Sequence, residues 1–283
     1  MYPFIHIGPL TLGSYGLMVA IGLICAFFIL RADFLRRGVS ADAEAIIGIT
    51  GLSGLAGSRL YHLFESPREF FADPWPQLFS TMGFAFVGAI IGGFIALVLL
   101  ARRFKISPLL MLDVASPAAA IGYGIGRIGC MLSGDGDYGI ATSLPWGVAF
   151  NPIQPGTLIL GFIQVDHGAI VPSYGRDVGG LPLDAIVRVH PTPIYEFLAA
   201  IVIFYVLWRL GARVIKKRAP HGIVFAAYLV LTGIARFLVE MIRINPRSFL
   251  GMTNAQAASV VSVLAGIALF FYCKHAGGRK VRT

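Results

Sequence analysis

The chain has 283 residues, of which 57% are hydrophobic and only 13% are charged, and its mean hydropathy is +0.77. Soluble domains carry about 25% charged residues, so this composition excludes an ordinary soluble enzyme and indicates a polytopic membrane protein. The formal net charge of +9 would suggest a nucleic-acid partner in a soluble protein. Here the basic residues cluster in short loops between apolar segments, which is typical of a membrane topology signal.

Seven segments are long and apolar enough to be predicted as membrane-spanning helices, for which about 20 mostly apolar residues are needed. The fourth segment is rich in Gly and Ala and ends in a glycine-arginine block. The fold class that this pattern predicts is an all-α polytopic membrane protein. The predicted spans are residues 13–32, 44–64, 83–101, 108–131, 192–210, 222–243 and 254–273.

Lys and Arg are distributed unequally between the two sides of these spans. The segments after spans one, three and five, together with the C-terminal tail, hold fifteen of them, whereas the opposite side holds five. Because cytoplasmic loops carry the excess of basic residues, the N-terminus is predicted outside and the C-terminus in the cytoplasm. Loops that bind anionic lipid are the alternative interpretation of the same charges.

Two connections on the outer side are longer than turns. Residues 132–190 are rich in Gly, Pro and alternating apolar residues, which predicts a small extracytoplasmic cap with some β-structure. Residues 65–82 contain Trp and Phe that suit a short helix at the membrane interface. The predicted organisation is therefore residues 1–131 with spans one to four and the interfacial arm, then the cap, then residues 191–283 with spans five to seven and a cytoplasmic tail.

Three arginines lie within or at the ends of predicted membrane spans, where burying a charged side chain costs free energy. A cation at the bilayer centre costs roughly 2.5–3.5 kcal/mol on insertion scales, so Arg59, Arg127 and Arg236 are expected to face a protein interior or a water-filled cavity. Arg236, Glu240 and Arg243 are spaced to share one helix face. Because one glutamate does not neutralise these cations, the pattern predicts a bound anion. The alternative is that these charged side chains pair only with one another and serve to hold the helices together.

Four glycines surround Arg127 along the fourth span. They remove side chains, so that a ligand or a neighbouring backbone can approach closely. Glycines at such spacing are more typical of helix packing, but a forked guanidinium among them suits a phosphate. The glycines are Gly122, Gly124, Gly126 and Gly129.

Two further motifs carry polar groups near the outer side. The block His190-Pro-Thr-Pro-Ile-Tyr-Glu196 opens span five and places Glu196 about one turn inside the membrane, where a carboxylate needs a partner such as an arginine. His190 is a candidate base or, equally, a capping histidine. Asp135 and Asp137 lie in a Gly-rich loop without the fuller EF-hand pattern, so no metal site is predicted.

Five sequence blocks stand in the order and spacing of one known family. They are Ile7-Gly-Pro-Leu-Thr-Leu with Tyr15-Gly-Leu-Met, Gly57-Ser-Arg-Leu-Tyr61, Gly126-Arg-Ile-Gly129, the His190 block, and Arg236-Phe-Leu-Val-Glu240 followed by Arg243. Through them the chain resembles the bacterial phosphatidylglycerol–prolipoprotein diacylglyceryl transferases nearly end to end. The Gly-Arg-x-Gly and His-Pro-x-x-x-Tyr-Glu blocks together are quite specific.

The resemblance implies a reaction in the bacterial inner membrane. A family member moves the diacylglyceryl group of phosphatidylglycerol to the thiol of a prolipoprotein lipobox cysteine, forms a thioether and releases glycerol phosphate, with no cofactor or nucleic acid. By position, Arg127 and Arg236 would hold the lipid phosphate and stabilise the leaving group. Glu196 and His190 are further catalytic candidates. The residues expected to line or brace the cavity are Tyr15, Arg59, Glu196, Glu240, Arg243, Gly126, Gly129 and Asp135.

The chain departs from the family pattern at four positions. The His of the family's His-Gly-Gly motif is replaced by a valine, which takes no proton from a thiol. The candidate bases are then His190, Asp135, Glu196 and water, and a free cysteine with a pKa of about 8.5 is already a few per cent thiolate at neutral pH. The replacements are Val87 for His, Cys130 for Asn, Asp135 for Glu and Thr232 for Tyr.

These departures leave two other functions open. A related transferase with the same donor and a different acceptor is motivated by Val87 and by the Gly134-Asp-Gly-Asp loop. A non-catalytic protein that binds or transports lipid is motivated by cavity arginines without an obvious base.

Overall fold

The computed structural model describes residues 4–8, 10–65, 67–75, 85–133, 139–140, 142–149, 163–166, 169–172, 188–243, 245 and 247–280. The helices in these ranges are α1 (Ser14–Arg37), α2 (Ala43–Glu65), α3 (Pro67–Ala72), α4 (Phe86–Arg103), α5 (Pro108–Ser133), α6 (Thr192–Lys216), α7 (Ile223–Glu240) and α8 (Asn254–Lys280). The all-α fold class is confirmed, and the protein is a multi-pass membrane protein.

Within the described residues, each predicted span corresponds to one long helix. Six of the long helices are apolar enough to cross a membrane by length and composition. The remaining one is α2, which contains charged residues such as Glu44 and Arg59. Its 23 residues still extend over about 34 Å, which is enough to cross the hydrocarbon core. Of the seven predicted spans, six are thus strongly apolar helices and the second is a more polar helix of equal reach.

Helix ends that carry basic residues meet at one end of the bundle. Arg36, at the end of α1, donates from Nη1 to the carbonyl oxygen of Trp208 in α6 (3.0 Å), and its guanidinium stacks 3.9 Å from the centre of the indole ring. Asp113, in the second turn of α5, accepts hydrogen bonds from the backbone N–H groups of Gly222 (2.7 Å) and Phe225 (2.8 Å). The ends of α1 and α6 and the starts of α5 and α7 are thereby tied together.

A buried apolar core lies at this same end. It joins the end of α1 and of α4 to the start of α2 and of α5, so that consecutive helices alternate in direction. Cys273 of α8 is also buried here, close to Gly222. The core side chains include Leu30, Phe34, Ile46, Leu100, Ala101 and Met111. The basic segments after α1, α4, α6 and α8 therefore share one end, as the topology prediction requires.

Glycines bring α2 and α4 into backbone contact. A Cβ atom on Gly57 would overlap the carbonyl oxygen of Gly88, and one on Gly88 would overlap that of Gly57. Gly92 has the same relation to the carbonyl oxygen of Ser53. Because the two helices cross this closely, the start of α4, which includes Val87, is held against α2.

Short antiparallel strand pairs complete the described structure. The pairs are β1 (Phe4–Ile7) with β2 (Leu10–Gly13), β3 (Val148–Ala149) with β6 (Arg188–Val189), β4 (Ile163–Asp166) with β5 (Ala169–Pro172), and β7 (Arg247–Phe249) with β8 (Met252–Thr253). Two of these pairs lie in the segment for which a cap with β-structure was predicted. The boundaries of that cap and of the interfacial arm stay predictions.

Candidate functional site

Glu196 is the centre of a buried ion-pair cluster at the end of the bundle opposite the basic segments. It is the fifth residue of α6, and its side chain is 3% exposed. Its Oε2 atom pairs with Arg127 of α5 and accepts a hydrogen bond from the hydroxyl of Tyr123 (3.0 Å). Its Oε1 atom pairs with Arg236 of α7 and accepts a hydrogen bond from Arg243 Nη1 (3.2 Å). The predicted arginine partners of Glu196 are thus found, and they join three helices.

Glu240 is the second carboxylate of the cluster. Its side chain is fully buried at the last residue of α7. Its Oε2 atom lies 3.2 Å from Arg236 Nη2 and 3.5 Å from Arg243 Nε, while Asn245 donates to Oε1. A buried carboxylate is stable only with such compensation, because removing it from water costs several kcal/mol.

Cations outnumber carboxylates in this cluster. Two carboxylates, Glu196 and Glu240, face three guanidinium groups in the part of the chain that the structure describes. The arginine side chains differ in exposure, with Arg236 at 28%, Arg127 at 13% and Arg243 at 0%. Arg236 and Arg127 therefore keep part of their side chains exposed, whereas Arg243 is enclosed by protein.

Arg243 does not lie on a helix face, contrary to the prediction that span six continues to residue 243. α7 ends at Glu240, and Arg243 follows in a turn that pairs with Gly139. The carbonyl oxygen of Ile242 accepts from the N–H of Ile140 (2.8 Å), and residue 246, its partner in a further helical turn, is a proline without an N–H. Burial lowers the pKa of Arg243, and the neighbouring Arg127 charge lowers it further. Its carboxylate partners oppose that shift by favouring the charged form.

A backbone strap, residues 139–140, connects the start of α6 to the end of α7. The N–H of Gly139 donates to His190 O (3.0 Å), and the N–H of His190 donates to Ile140 O (3.1 Å). A Cβ atom on Gly139 would lie 2.5 Å from His190 Cβ and 3.0 Å from Ile242 O, so the close approach requires glycine. The strap fixes the backbone on both sides of the ion-pair cluster.

His190 is half-buried at the rim of the cluster. Its Nδ1 atom lies 3.2 Å from the hydroxyl of Tyr195, which also accepts a hydrogen bond from Trp146 Nε1 (2.8 Å). An indole N–H only donates, so it uses one lone pair of the Tyr195 oxygen, and the other lone pair can accept from His190 Nδ1–H. This arrangement leaves His190 Nε2 directed away from Tyr195, and it adds two aromatic residues to the predicted site.

The glycines around Arg127 divide between packing and open space. A Cβ atom on Gly124 would lie 2.7 Å from Ala200 of α6, and one on Gly129 would lie 3.2 Å from the ring of Tyr15 in α1. Gly126 faces open space, since nothing lies within 4 Å of the position of a Cβ atom. The packing interpretation is correct for the first two, and Gly126 alone of these three leaves room for a ligand. Tyr15 itself is 49% exposed.

Three other predicted positions have different surroundings. Arg59 is 8% exposed in α2 and follows Ser58, whose carbonyl oxygen accepts a hydrogen bond from Ala85, so it lies where α2 meets the start of α4. Val87 is 49% exposed in the first turn of α4. Asp135 lies outside the described residues.

Sequence reasoning missed several members of the site. Tyr123 precedes Arg127 by one helical turn, a spacing that places both on one face and could have indicated it. Cys130 replaces the asparagine of the family pattern, and no sequence pattern predicts that Arg127 Nη1 lies 3.5 Å from its sulfur. Gly139 and Trp146 carry no signal in the sequence, because their roles depend on contacts between segments far apart in the chain.

Comparison with known proteins places this architecture in a family. The profile described as prolipoprotein diacylglyceryl transferase matches residues 3–272. The phosphatidylglycerol–prolipoprotein diacylglyceryl transferase of Clostridium tetani is 31% identical over 273 residues, which cover 92% of this chain and 93% of the relative. That of Geobacter sulfurreducens is 32% identical over 256 residues, covering 88% and 84%, and that of Chromohalobacter salexigens is 30% identical over 275 residues, covering 94% and 89%. The chain belongs to the prolipoprotein diacylglyceryl transferase family.

Proposed function

We propose that the protein transfers the diacylglyceryl group of phosphatidylglycerol to the cysteine thiol of a prolipoprotein lipobox and releases glycerol phosphate. The observation that carries this proposal is that Arg127 and Arg236 converge on Glu196 while their side chains keep 13% and 28% exposure. Two partly exposed arginines held side by side are stabilised by an anion, and a phosphodiester supplies one. Family membership supports the choice of donor and acceptor.

Arg236 and Arg127 are the proposed phosphate-binding residues. They are the cluster arginines whose side chains keep some exposure, 28% and 13%, among the described residues. Their forked N–H groups suit two phosphate oxygens, while Glu196 holds both guanidinium groups in place from the other side. Tyr15 and Gly126 border the space next to Arg127, and Glu240, Arg243 and Arg59 brace the surrounding helices.

The chemistry is a displacement at carbon. The acceptor thiolate attacks the glyceryl CH₂ carbon that bears the phosphate, a C–S bond forms, and the C–O bond to the phosphate breaks. The electron pair of that bond leaves with glycerol phosphate, whose negative charge grows in the transition state. Fixed cations beside the leaving oxygen stabilise that charge, and removing one such donor typically costs about 10²–10³-fold in rate.

The proton of the acceptor thiol goes to His190 in this proposal. Glu196 is a poor base, because its two oxygens already accept contacts from three arginines and Tyr123. Val87 has no group that takes a proton. In the tautomer whose Nδ1–H donates to the Tyr195 oxygen, His190 Nε2 carries no proton and takes the one released by the thiol. Asp135 stays a substrate-binding candidate on the family resemblance alone.

The membrane orientation is part of the proposal. The basic segments that share one end of the bundle would face the cytoplasm, which puts the ion-pair cluster near the outer side of a bacterial inner membrane. A secreted prolipoprotein and the outer-leaflet donor lipid would then both reach the cluster. The residues between 132 and 190 would form the extracytoplasmic cap above it.

A transferase with the same donor and a different acceptor is the second candidate. The observation that favours it is Val87, where the family carries a histidine, at a half-exposed position beside the site. This alternative keeps the phosphate site and changes only the nucleophile.

Reconstitution tests the proposal. The purified full-length protein is placed in vesicles with isotope-labelled phosphatidylglycerol and a lipobox peptide, and products are identified by mass spectrometry. A labelled thioether on the peptide, absent with the Cys→Ser peptide, is the expected result. Release of glycerol phosphate without a peptide product would point to the other acceptor, and no consumption of phosphatidylglycerol would refute both.

A further inference from the structure

An apolar slot of about 270 Å³ runs between α1, α2, α4 and α5. Apart from Thr50 and Tyr123, every residue that lines it is apolar. The wall formed by α1 and α5 is built from small residues, and replacing any of them by a larger one would narrow the slot. These small wall residues are Gly22, Ala26, Ala118, Ala119, Gly122 and Gly126.

The slot is continuous with the ion-pair cluster at its upper end. Tyr123 lines the slot and donates to Glu196 (3.0 Å), and Gly126, which leaves open space, precedes Arg127. A ligand that fills both regions has an anionic group at the arginines and an apolar chain in the slot. This combination is the chemistry of a phospholipid, which is the donor under the proposed function on which this inference rests.

The dimensions fit a single acyl chain. The lining residues of α5 run from Gly126 down to Ala115, eleven positions that correspond to about 16 Å of helix. Half of a hydrocarbon core of about 30 Å is close to that length, so the slot accommodates one chain of one leaflet. Its volume lies near the lower limit of about 300 Å³ for ligand pockets, which leaves no space for two chains.

The lower end of the slot is closed. Leu30 of α1 and Ile46 of α2 line it and are each 1% exposed, so they are held in the apolar core. By contrast, Val19 and Leu23 line the upper part and are 37% and 41% exposed. The slot therefore opens sideways near the cluster, where a lipid enters, and ends on rigid side chains below.

We propose that this slot holds one acyl chain of the donor lipid and that Leu30 and Ile46 set the longest chain that the enzyme transfers efficiently. A chain longer than the slot forces its terminal carbons against a packed core, which resists compression. A shorter chain leaves part of the slot unfilled and loses contact area. The second chain stays in the membrane and is not selected.

The test measures kcat/KM for dilauroyl-, dimyristoyl-, dipalmitoyl- and distearoyl-phosphatidylglycerol with full-length protein in vesicles of fixed composition. Ala118→Leu shortens the usable slot, so we expect the ratio of long-chain to short-chain kcat/KM to fall about tenfold. Ala119→Leu, at a more exposed position of the same wall, provides a second variant should the first not fold. Ile46→Ala removes side-chain volume at the closed lower end of the slot, so the chain length with the highest kcat/KM should become longer.

Ala20→Leu is the matched control, because Ala20 is exposed on α1 and does not line the slot. It should leave the ratio unchanged. An unchanged ratio in both wall variants, or a changed affinity for the peptide in place of a changed ratio, would overturn the proposal.

Lipid retention by the detergent-purified protein is measured across the same four lipids by native mass spectrometry, and it separates the slot proposal from the proposed function. If retention depends on chain length but no thioether forms, the proposed function is refuted while the proposal that the slot holds an acyl chain is supported.

Discussion

Arg243 donates to Glu196 across 3.2 Å, and this contact joins the turn after α7 to the first turns of α6. Both side chains are buried, at 0% and 3% exposed. A guanidinium in this position orders the carboxylate that in turn orders Arg127 and Arg236. In the proposed function Arg243 is thus a positioning residue, whereas Arg236 faces the ligand.

The two arginines should respond differently to replacement by alanine. Arg243→Ala leaves two carboxylates with one buried partner fewer, which typically destabilises a protein by about 3–5 kcal/mol. We expect a clearly lower melting temperature. Arg236→Ala also takes a partner from both carboxylates, but water can replace its 28% exposed side chain, so the melting temperature should fall less while kcat/KM falls about 10²-fold. Thermal unfolding and thioether formation are measured on both. Arg247→Ala, an exposed arginine nearby, is the control, and equal losses of stability for the first two variants would contradict this division of roles.

Tyr123→Phe tests the hydrogen bond to Glu196. The hydroxyl lies 3.0 Å from Oε2, and hydrogen bonds to charged groups contribute about 1.5–3 kcal/mol. We expect a folded protein with kcat/KM lowered about tenfold. Tyr205→Phe, on a half-exposed face of α6, should have no effect. Full activity of the Tyr123 variant would mean that the arginines alone hold Glu196.

Much of this site was predictable from local patterns. The His190 block predicts that Glu196 lies inside the membrane. Because an unpaired carboxylate is energetically unfavourable there, its pairing with arginines could be predicted. The approximate end of α7 is indicated locally by Pro246, which has no N–H to continue the helix. The turn that brings Arg243 back to Glu196 was not predictable, because it depends on pairing with the distant Ile140. The acyl slot was equally hidden, since it depends on how four helices approach one another.

Gly139→Ala should disrupt the strap. The added methyl group meets His190 Cβ at 2.5 Å and Ile242 O at 3.0 Å, and both belong to backbone that frames the cluster. We expect activity to fall at least tenfold and stability to fall as well. The matched control is Gly48→Ala in α2, where nothing lies within 4 Å of the added atom. A fully active Gly139 variant would show that the strap does not position the site.

Cys130 offers a reporter of lipid binding. Its sulfur lies 3.5 Å from Arg127 Nη1, next to the proposed phosphate position. In a Cys25→Ala, Cys273→Ala background, we expect a maleimide to label Cys130 and phosphatidylglycerol to slow that labelling severalfold. Diacylglycerol, which lacks the phosphate, serves as the comparison. Equal protection by both lipids would argue against a phosphate at Arg127.

The role of His190 predicts a pH dependence. The acceptor thiol has an ordinary pKa of about 8.5, so its thiolate fraction rises about tenfold per pH unit below that value. If His190 takes the proton, His190→Ala should lower kcat/KM strongly near pH 7 and only weakly near pH 9, where the thiol is already ionised. Rates are measured across this range with saturating lipid. A loss of the same size at every pH would assign His190 a structural role.

The central claim is that Arg127 and Arg236 hold the phosphate of the donor lipid. The most direct measurement is the retention of phosphatidylglycerol relative to diacylglycerol by purified wild-type protein and by the Arg127→Gln, Arg236→Gln double variant, using native mass spectrometry. We predict that the wild type prefers phosphatidylglycerol and that the double variant loses this preference while still retaining diacylglycerol. An undiminished preference in a folded double variant would contradict the account.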